Sequence, residues 1–404
     1  MTSSAPFTTT WTSGSDAFDR LYIGVPGLAF VKYNASLVDA ATVVLTSSSK
    51  EILDAIVTEV VDTGRNIFGG AGHITYISTA SELKMHFAED IQLDAHGTLL
   101  VEVTLNAPIN AITSIADTVI EEGALPLASD ADIDVTSVGH NNIWIDSTDA
   151  SVAKLSLTVS GAGNTYLKAS TLHVADVARF NIMGAGSVVV EAAEVSANAI
   201  ESNVFGRGSV AVHGNTVANS LQTNLMGSGF VSYYPSGSCQ TSSVQIGGQG
   251  NAYLASVVCD ATSVNIMGHG DAYVQTVDTL KRSGMGSGSI KYFNTTPAHL
   301  PDEHPHRFFR QPKVELTTDN KFKPAVIATE PTVHDAKSID LHLTVGKFSW
   351  LHTPPPETLS AQAAPDGFFD ASYGLAVVAM LIVSLIAFVA FKKTTKRVAY
   401  EALP

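Results

Sequence analysis

Six polar residues recur at nearly equal spacing through the middle of the chain, and their types could bind a ligand. Each is an aspartate, asparagine or glutamine that lies eight residues before a glycine: Asp176, Asn198, Asn219, Gln240, Asp260 and Asp278. Stacked along one edge of a repeat, their oxygens would form a strip suited to a divalent cation or to sugar hydroxyls. Like charges stacked together, such as Asp260 on Asp278, favour a bridging ion. The alternative is a turn position where short polar side chains cap the backbone.

Other groups that could carry catalysis lack partners at a suitable spacing. His304 and His306 lie in a proline-rich stretch without matching acidic ligands, and no serine-hydrolase, zinc-protease or phosphate-loop motif occurs. SGMGSG at 283–288 shares only its glycines with dinucleotide-binding loops, because no strand–helix unit surrounds it. Acids and amides vary from repeat to repeat, unlike a tuned carboxylate pair. We predict no catalytic residues, no metal and no cofactor; a polysaccharide-active enzyme would need an acidic cluster in a groove.

The two cysteines, Cys239 and Cys259, are 20 residues apart, and each lies nine residues before a repeat glycine. On adjacent coils of a stacked fold they would lie about 4.8 Å apart, within the range of Cα separations that a disulfide accepts. We therefore predict a disulfide. Two buried free thiols in a cytosolic protein are the alternative.

A glycine pair, G-x-G, recurs at intervals of 18 to 23 residues and defines the elements that must position these groups. The pairs are Gly161 and Gly163, Gly184 and Gly186, Gly206 and Gly208, Gly227 and Gly229, Gly248 and Gly250, Gly268 and Gly270, and Gly286 and Gly288. A fixed period near 20 residues is typical of a stacked repeat architecture.

Within each unit, apolar residues alternate as in a strand with one buried face. Val188 and Val190 follow Gly184 by four and six residues, and Ile182 precedes it by two. A unit of about 20 residues cannot bury its own face, whereas stacked units share one core. We therefore predict an all-β fold: a parallel β-helix, or β-solenoid, with coils of about 20–22 residues.

The repeated residues then have structural roles. Glycine allows the corner of each coil to bend with φ above zero and without a side chain directed into the core. Amides three residues before the first glycine would stack and hydrogen-bond along the solenoid axis. These amides are Asn181, Asn203, Asn224, Gln245 and Asn265.

The solenoid is predicted over residues 18–293, with its clearest repeats at 155–293, after a flexible segment at 1–17. NIFGGAGHITYIS at 66–78 and HGTLLVEV at 96–103 look like degenerate repeats. The stretches 81–94 and 107–126 are less regular, which suggests capping or inserted loops. Residues 294–370 are rich in proline, which favours extended backbone, and are predicted as a stalk; 338–351 alternates and could add one strand.

Residues 371–391, ASYGLAVVAMLIVSLIAFVAF, carry no charge and are long enough to cross a bilayer as a helix. The basic residues that follow in the tail, residues 392–404, predict a cytoplasmic C-terminus by the positive-inside rule. The remainder would then be extracellular or lumenal, at the plasma membrane or in the endosomal system. Possible glycosylation sites at Asn34 and Asn294 agree.

Three further features bear on the topology, the sorting and the partners of the chain. The first residues do not resemble a signal peptide, so a missing leader, an unusual insertion route or a tail-anchored protein facing the cytosol are all compatible. Tyr400 to Leu403, YEAL, is similar to a tyrosine-based sorting signal. The formal net charge of −15 and the absence of basic runs before residue 392 argue against nucleic acid as a partner.

The G-x-G phrases, together with FDRLYIGVPGLAFVKY at 18–33, resemble the auto-transporter adhesin head GIN domain family, formerly a domain of unknown function. The resemblance covers roughly residues 18–293. It implies a right-handed β-solenoid at a cell surface and no characterised enzymatic activity. The C-terminal span with its basic tail differs from the common bacterial form and suggests a eukaryotic membrane-anchored version. We therefore expect a single-span membrane protein that binds a surface ligand, glycan or protein. A scaffold that self-associates end to end through uncapped coils is the second hypothesis.

Overall fold

The computed structural model describes residues 6–62, 66–68, 74–76, 81–89, 91–127, 130–301, 311–324 and 326–343. All of them lie in one compact unit that spans Met1–Gly346. The described part is a β-solenoid of about nine turns. Its one helix, α1 (Lys50–Asp54), has five residues. The prediction of an all-β solenoid is confirmed, while its right-handed winding stays a prediction.

Seven long strands each wind once around the core. Every strand starts directly after one glycine corner or one residue later, ends at the next, and pairs in parallel with its successor. In chain order the long strands are β13 (Asn142–Gly161), β14 (Asn164–Gly184), β15 (Ser187–Gly206), β16 (Ser209–Gly227), β17 (Phe230–Gly248), β18 (Asn251–Gly268) and β19 (Ala272–Gly286). The coil length predicted from the glycine spacing is therefore the coil length of the structure.

The first coils are built from shorter strands and do not stack in chain order. They are β2 (Arg20–Ile23), β3 (Leu28–Tyr33), β8 (Ser81–Phe87), β9 (Leu93–Leu105), β10 (Ala111–Ser114), β11 (Asp117–Ile120) and β12 (Asp132–Gly139). The β2–β3 coil pairs with β8 and β9 on one side and with β10 and β11 on the other. The first parallel coil along the chain is thus the second coil of the stack. The stretches predicted as loops at 81–94 and 107–126 in fact supply core strands.

The end of the stack next to β8 and β9 is capped by antiparallel strands. β4 (Ala41–Ser47) pairs with β9, β5 (Ile56–Asp62) pairs with β8, and α1 lies between them in the chain. β1 (Phe7–Thr12) pairs with β4, so this part of the predicted flexible segment is a strand. Antiparallel strands interrupt the parallel coils here, which removes the uncapped coil that end-to-end association would need at this end.

The repeat-like phrase at 66–78 does not form a coil, and that prediction is wrong. Its strands β6 (Asn66–Phe68) and β7 (Ile74–Tyr76) pair antiparallel in a separate two-stranded sheet. A coil requires the second strand to continue around the core in parallel register, whereas this chain reverses after five residues. Glycine and alternation alone therefore do not distinguish a hairpin from a coil.

Inward-facing residues of successive coils form one continuous core. Phe180, Ile182, Val188 and Val190 have no exposed surface, as the alternating pattern predicts. Tyr233 is the largest fully buried side chain, and its hydroxyl shares a hydrogen bond of 2.8 Å with Ser202. Burial raises the pKa of Tyr233 well above its ordinary value, so this phenol stays neutral.

The glycine corners are needed because stacked backbones approach one another closely. Gly206 has a φ of 127°, and a Cβ atom on it would lie 2.3 Å from the carbonyl oxygen of Gly184 in the preceding coil. A Cβ on Gly208 would lie 2.2 Å from the Gly186 oxygen and 2.5 Å from Cγ2 of Ile182 in the core. The second glycine thus meets the core, as predicted, and both meet the neighbouring coil.

The chain turns back along the solenoid after the last coil. β20 (Ser289–Phe293) pairs in parallel with β21 (Lys313–Thr317), and β22 (Lys337–Leu343) pairs antiparallel with β9 at the opposite end of the stack. Residues 318–336, here called the strap, connect these two ends. Within the predicted stalk, β21 and β22 pair with strands of the solenoid, and strap residues such as Phe322, Lys323 and His334 contact the coils, so this part does not stand free of the solenoid. The strand predicted within 338–351 is confirmed.

The predicted membrane span at 371–391 and the tail at 392–404 lie outside the described residues. Within the described part, the helix is too short to cross a bilayer.

Two glycine substitutions separate backbone strain from coil contact. Gly139 has a φ of 97° and nothing within 4 Å of an added Cβ, so Gly139→Ala should cost only the strain, about 1–2 kcal/mol. Gly206→Ala should cost roughly 1–3 kcal/mol more, because its Cβ meets a backbone oxygen that cannot rotate away. Urea unfolding followed by circular dichroism measures both. Equal losses would mean that coil stacking does not require glycine at these corners.

Candidate functional site

The six polar residues of the predicted strip are all exposed, and they lie near a bend where the coils bulge. The Nδ2 group of Asn219 donates to Oδ1 of Asn198 on the neighbouring coil at 2.9 Å. Asp260 and Asp278 do not stack in direct register, because the pairing shifts between Cys259 and Ala261. Asp278 instead bonds to Nδ1 of His299 at 2.9 Å. The charge clash that favoured a bridging cation is thus absent from this pair.

The amide ladder forms between three of the five predicted amides, Asn181, Asn203 and Asn224. Asn203 donates to Oδ1 of Asn181 at 2.9 Å, and Asn224 donates to Oδ1 of Asn203 at 2.8 Å. Asn181 in turn donates to Oγ1 of Thr158 at 3.3 Å. These side chains are partly buried and satisfy one another along the axis, so the ladder supports stacking rather than catalysis.

Cys239 and Cys259 lie opposite each other on β17 and β18 and are joined in a disulfide, with 4.4 Å between their Cα atoms. Each side chain is nearly fully buried. The bond therefore joins adjacent coils.

Metal ligands do not converge in the described part of the chain. None of its histidine, cysteine, aspartate and glutamate residues form a group of three or more that could hold an ion. His304 and His306 lie outside the described residues. A shallow groove of about 340 Å³ is lined by Glu122, Asp146 and Lys168, among others. Glu122 accepts a hydrogen bond of 2.7 Å from the Thr148 hydroxyl, so this carboxylate is held by the protein itself.

The strap covers a line of outward-facing residues that runs along the whole stack. We call this line the outer column; its members lie in register on successive coils. They are Glu102, Phe30, Val119, Trp144, Tyr166, Val189, Ala211, Ser232, Tyr253, Tyr273 and Lys291. Those from Phe30 to Tyr273 are at most 9% exposed although they point away from the core.

Near the last coils the strap is held by stacking and by lysine–aromatic contacts. The ring of Phe322 stacks on Tyr234, with 3.9 Å between centroids and 17° between planes. Nζ of Lys323 lies 4.7 Å from the centroid of Phe230, and its backbone nitrogen donates to the Ser232 hydroxyl at 3.2 Å. Such contacts of a cation with an aromatic face are worth about 0.5–2 kcal/mol.

In the middle of the stack, a strap carbonyl is bound by the outer column. The indole nitrogen of Trp144 donates to the carbonyl oxygen of Ala328 at 3.0 Å, and the Tyr166 hydroxyl bonds to the same backbone. Both rings therefore bury an apolar face and satisfy their polar atom on the strap.

Near the first coils the strap ends in histidine–carboxylate pairs. The ring of His334 stacks on Phe30 at 3.7 Å, and its Nδ1 lies 2.9 Å from Oε1 of Glu102. In the adjoining β22–β9 pair, His96 bonds to Asp340. His342 pairs with Asp94 at 2.8 Å in the same sheet.

Three histidine–carboxylate pairs thus lie where the strap and β22 dock. The hydrogen bond and charge of Asp340 raise the pKa of His96 above its ordinary value. In the strap itself, burial raises the pKa of Glu330, and the neighbouring Asp146 carboxylate adds to this. Both shifts mean that the docked arrangement binds protons more readily than the released one.

The strap was missed by sequence reasoning, although one signal pointed to it. Trp144, Tyr166, Tyr253 and Tyr273 lie five residues after their corner glycine, a position whose alternation directs it outward. Large aromatic residues at an outward position of several coils indicate a surface that something covers.

Comparison with known proteins supports part of the resemblance. The family model described as "Putative auto-transporter adhesin, head GIN domain" matches residues 218–296, which lie in β16 to β20 and the turn that follows. No curated protein matches the chain.

Three solved structures are similar at low identity. One, described as a "putative adhesin" from Parabacteroides distasonis, is 15% identical with a TM-score of 0.38, covering 77% of this chain and 97% of that one. A second such adhesin, from Parabacteroides merdae, is 14% identical with a TM-score of 0.38, covering 78% and 97%. A "putative lipid binding protein" from Parabacteroides distasonis is 13% identical with a TM-score of 0.34, covering 78% and 97%.

The strap and β22 should dock more tightly in mild acid. Because the pKa of His96 is raised in the folded state, the protonated ring stabilises docking, and this stabilisation is complete below the unfolded-state pKa of about 6.5. It is lost as the pH rises through the folded-state pKa. The raised pKa of Glu330 also stabilises the docked strap in acid, but over a lower pH range. We expect Trp144 fluorescence, in a Trp11→Phe/Trp350→Phe background, to indicate a more solvent-exposed indole at pH 8 than at pH 6.

Asp340→Asn is the matched control, since it keeps the shape of the side chain but removes the charge that holds a proton on His96. This variant should flatten the pH dependence between pH 6 and 8. An unchanged profile in the variant would assign the effect to other groups.

Proposed function

We propose that the chain is a non-enzymatic, single-span membrane protein that presents its β-solenoid for adhesion to a ligand on another surface. The support is an open, apolar corner of the solenoid. Large apolar side chains occupy the position just before the first corner glycine in five coils: Met183, Phe205, Met226, Met267 and Met285. Each of them is 41–57% exposed. An exposed apolar strip of this kind is a feature of interaction sites.

The open corner is arranged for contact with an extended partner. Met183 pairs in register with Phe205, Phe205 with Met226, and Met267 with Met285, with the spacing of paired strands. Gly247 lies opposite Met226, so the line consists of three and two side chains separated by one coil. The amide ladder runs beside this line, two residues earlier in each coil. Repeated weak contacts along a line give avidity without an enclosed pocket.

The membrane anchor in this proposal is supported by the sequence. Residues 371–391 are uncharged and are followed by Lys392 and Lys393, which favours a span with a cytoplasmic tail. Asn34 and Asn294, the two predicted glycosylation sites, are both exposed on the solenoid.

Adhesion should depend on the open corner. Cells that display the full-length chain are allowed to settle on cells of the same line lacking it and on a printed glycan array, and retention under flow is measured. Replacing Met183, Phe205, Met226, Met267 and Met285 together with serine should abolish retention, because the apolar contact area is lost. The matched control replaces Asp176, Asn198, Asn219, Gln240 and Asp260 with alanine on the polar strip.

Retention by the corner variant together with loss in the polar-strip variant would overturn the apolar site and favour glycan or cation binding by the strip. If neither variant affects retention, neither surface carries the adhesion.

The proposed topology predicts a modified and oxidised ectodomain. Glycosidase treatment of the cell-expressed chain should shift its mobility on a gel, and Asn34→Gln with Asn294→Gln should remove the shift. Thiol labelling of the denatured chain should find Cys239 and Cys259 blocked until a reductant is added. No shift and two free thiols would instead indicate a cytosolic solenoid, as in a tail-anchored protein.

A further inference from the structure

The outer column is a binding surface whose occupant is visible, namely the strap of the same chain. Side chains make the contacts that hold it, from Asn320 on Ser256 to His334 on Phe30. Between residues 318 and 336 no backbone-to-backbone hydrogen bond joins the described part of the strap to a coil. The surface therefore holds an extended polypeptide through contacts that each include a side chain, such as Trp144 on the Ala328 carbonyl and Ser232 on the Lys323 N–H.

We propose that the outer column is a self-recognition surface on which the strap of a second copy of this chain lies, so that two copies are joined by exchanged straps. The exchanged unit is residues 318–343, since β22 follows the strap directly. This inference goes beyond the proposed adhesive function. The open corner is a different surface and is not used.

The second copy is the occupant that the contacts favour most. Exchange keeps every contact between strap and outer column, because both copies have the same sequence. Only the chain segment that joins each strap to its own solenoid takes a different course. The recognition is specific in register. Phe322 stacks on Tyr234, the Ala328 carbonyl meets Trp144, and another extended chain would have to reproduce both with the same separation.

The strap is also suited to leaving its own column. Three of its apolar side chains face solvent: Val326 is 86% exposed, Ile327 44% and Val333 61%. Few buried apolar groups and no backbone-to-backbone bonds to a coil are features of segments that open at low free energy. β22 must open with it, and its pairing with β9 includes the pH-sensitive His96–Asp340 contact.

The test uses two purified full-length chains, each carrying one added cysteine. Ser256 on β18 and Asn320 on the strap contact each other, with 3.1 Å between Ser256 Oγ and Asn320 Nδ2. Ser256→Cys on one chain and Asn320→Cys on the other are mixed, incubated and oxidised. A covalent heterodimer at twice the chain mass is expected, because the two thiols meet only when a strap lies on the other copy.

Two controls make the result decisive. Ser263→Cys mixed with Asn320→Cys should give no heterodimer above background, since Ser263 is exposed away from the outer column. The double variant Ser256→Cys/Asn320→Cys should form the bond within one chain and should no longer exchange straps.

Intrachain bonding without a heterodimer would show that the strap stays on its own column and would overturn the proposal. So would a double variant that fails to bond, since the strap would then not occupy the column. Neither result affects adhesion through the open corner. Loss of adhesion in the corner variant, with heterodimer still formed, would leave strap exchange intact.

Discussion

The close stacking of backbone on backbone at the glycine corners is the constraint on which the solenoid depends. Successive coils pair residue by residue, so each corner lies on the corner before it, and the oxygen of Gly184 occupies the space that a side chain on Gly206 would need. Because the register is kept, any position within a coil becomes a line along the axis. The amide ladder, the Cys239–Cys259 contact, the open corner and the outer column are four such lines, and their chemistry follows from which residue type repeats.

Prediction from the sequence succeeds for the periodic coils and fails where the chain departs from the glycine repeat. Coils β13 to β19 could be located from glycines and alternation, and the cysteine pair could be placed on neighbouring coils from its distance to those glycines. The order of the first coils could not, because β2 and β3 lie between strands that come later in the chain and carry no mark of that neighbour. The hairpin at 66–76 shows the opposite error, in which a repeat-like phrase forms something else.

The strap was hidden for a chemical reason. Proline lacks a backbone donor, so a segment rich in it cannot join a sheet along its length and resembles a free spacer. The strap instead uses stacking, lysine–aromatic contacts and a carbonyl bound by Trp144, none of which needs a backbone N–H along its length. Burying an aromatic side chain stabilises by about 1.5–3 kcal/mol, so a few such contacts are enough to hold an extended segment in place.

The two proposed interaction surfaces differ in what already occupies them, and this separates their roles. The outer column lies five residues after the corner glycine and the open corner lies one residue before it, so they belong to different sides of each coil. A partner on the open corner competes with nothing in the described part of the chain. A partner on the outer column must displace the strap, so its affinity is reduced by the population of the closed form. The raised pKa values of His96 and Glu330 favour the closed form in acid, so the proposed strap exchange would depend on pH, whereas the apolar corner carries no titratable side chain.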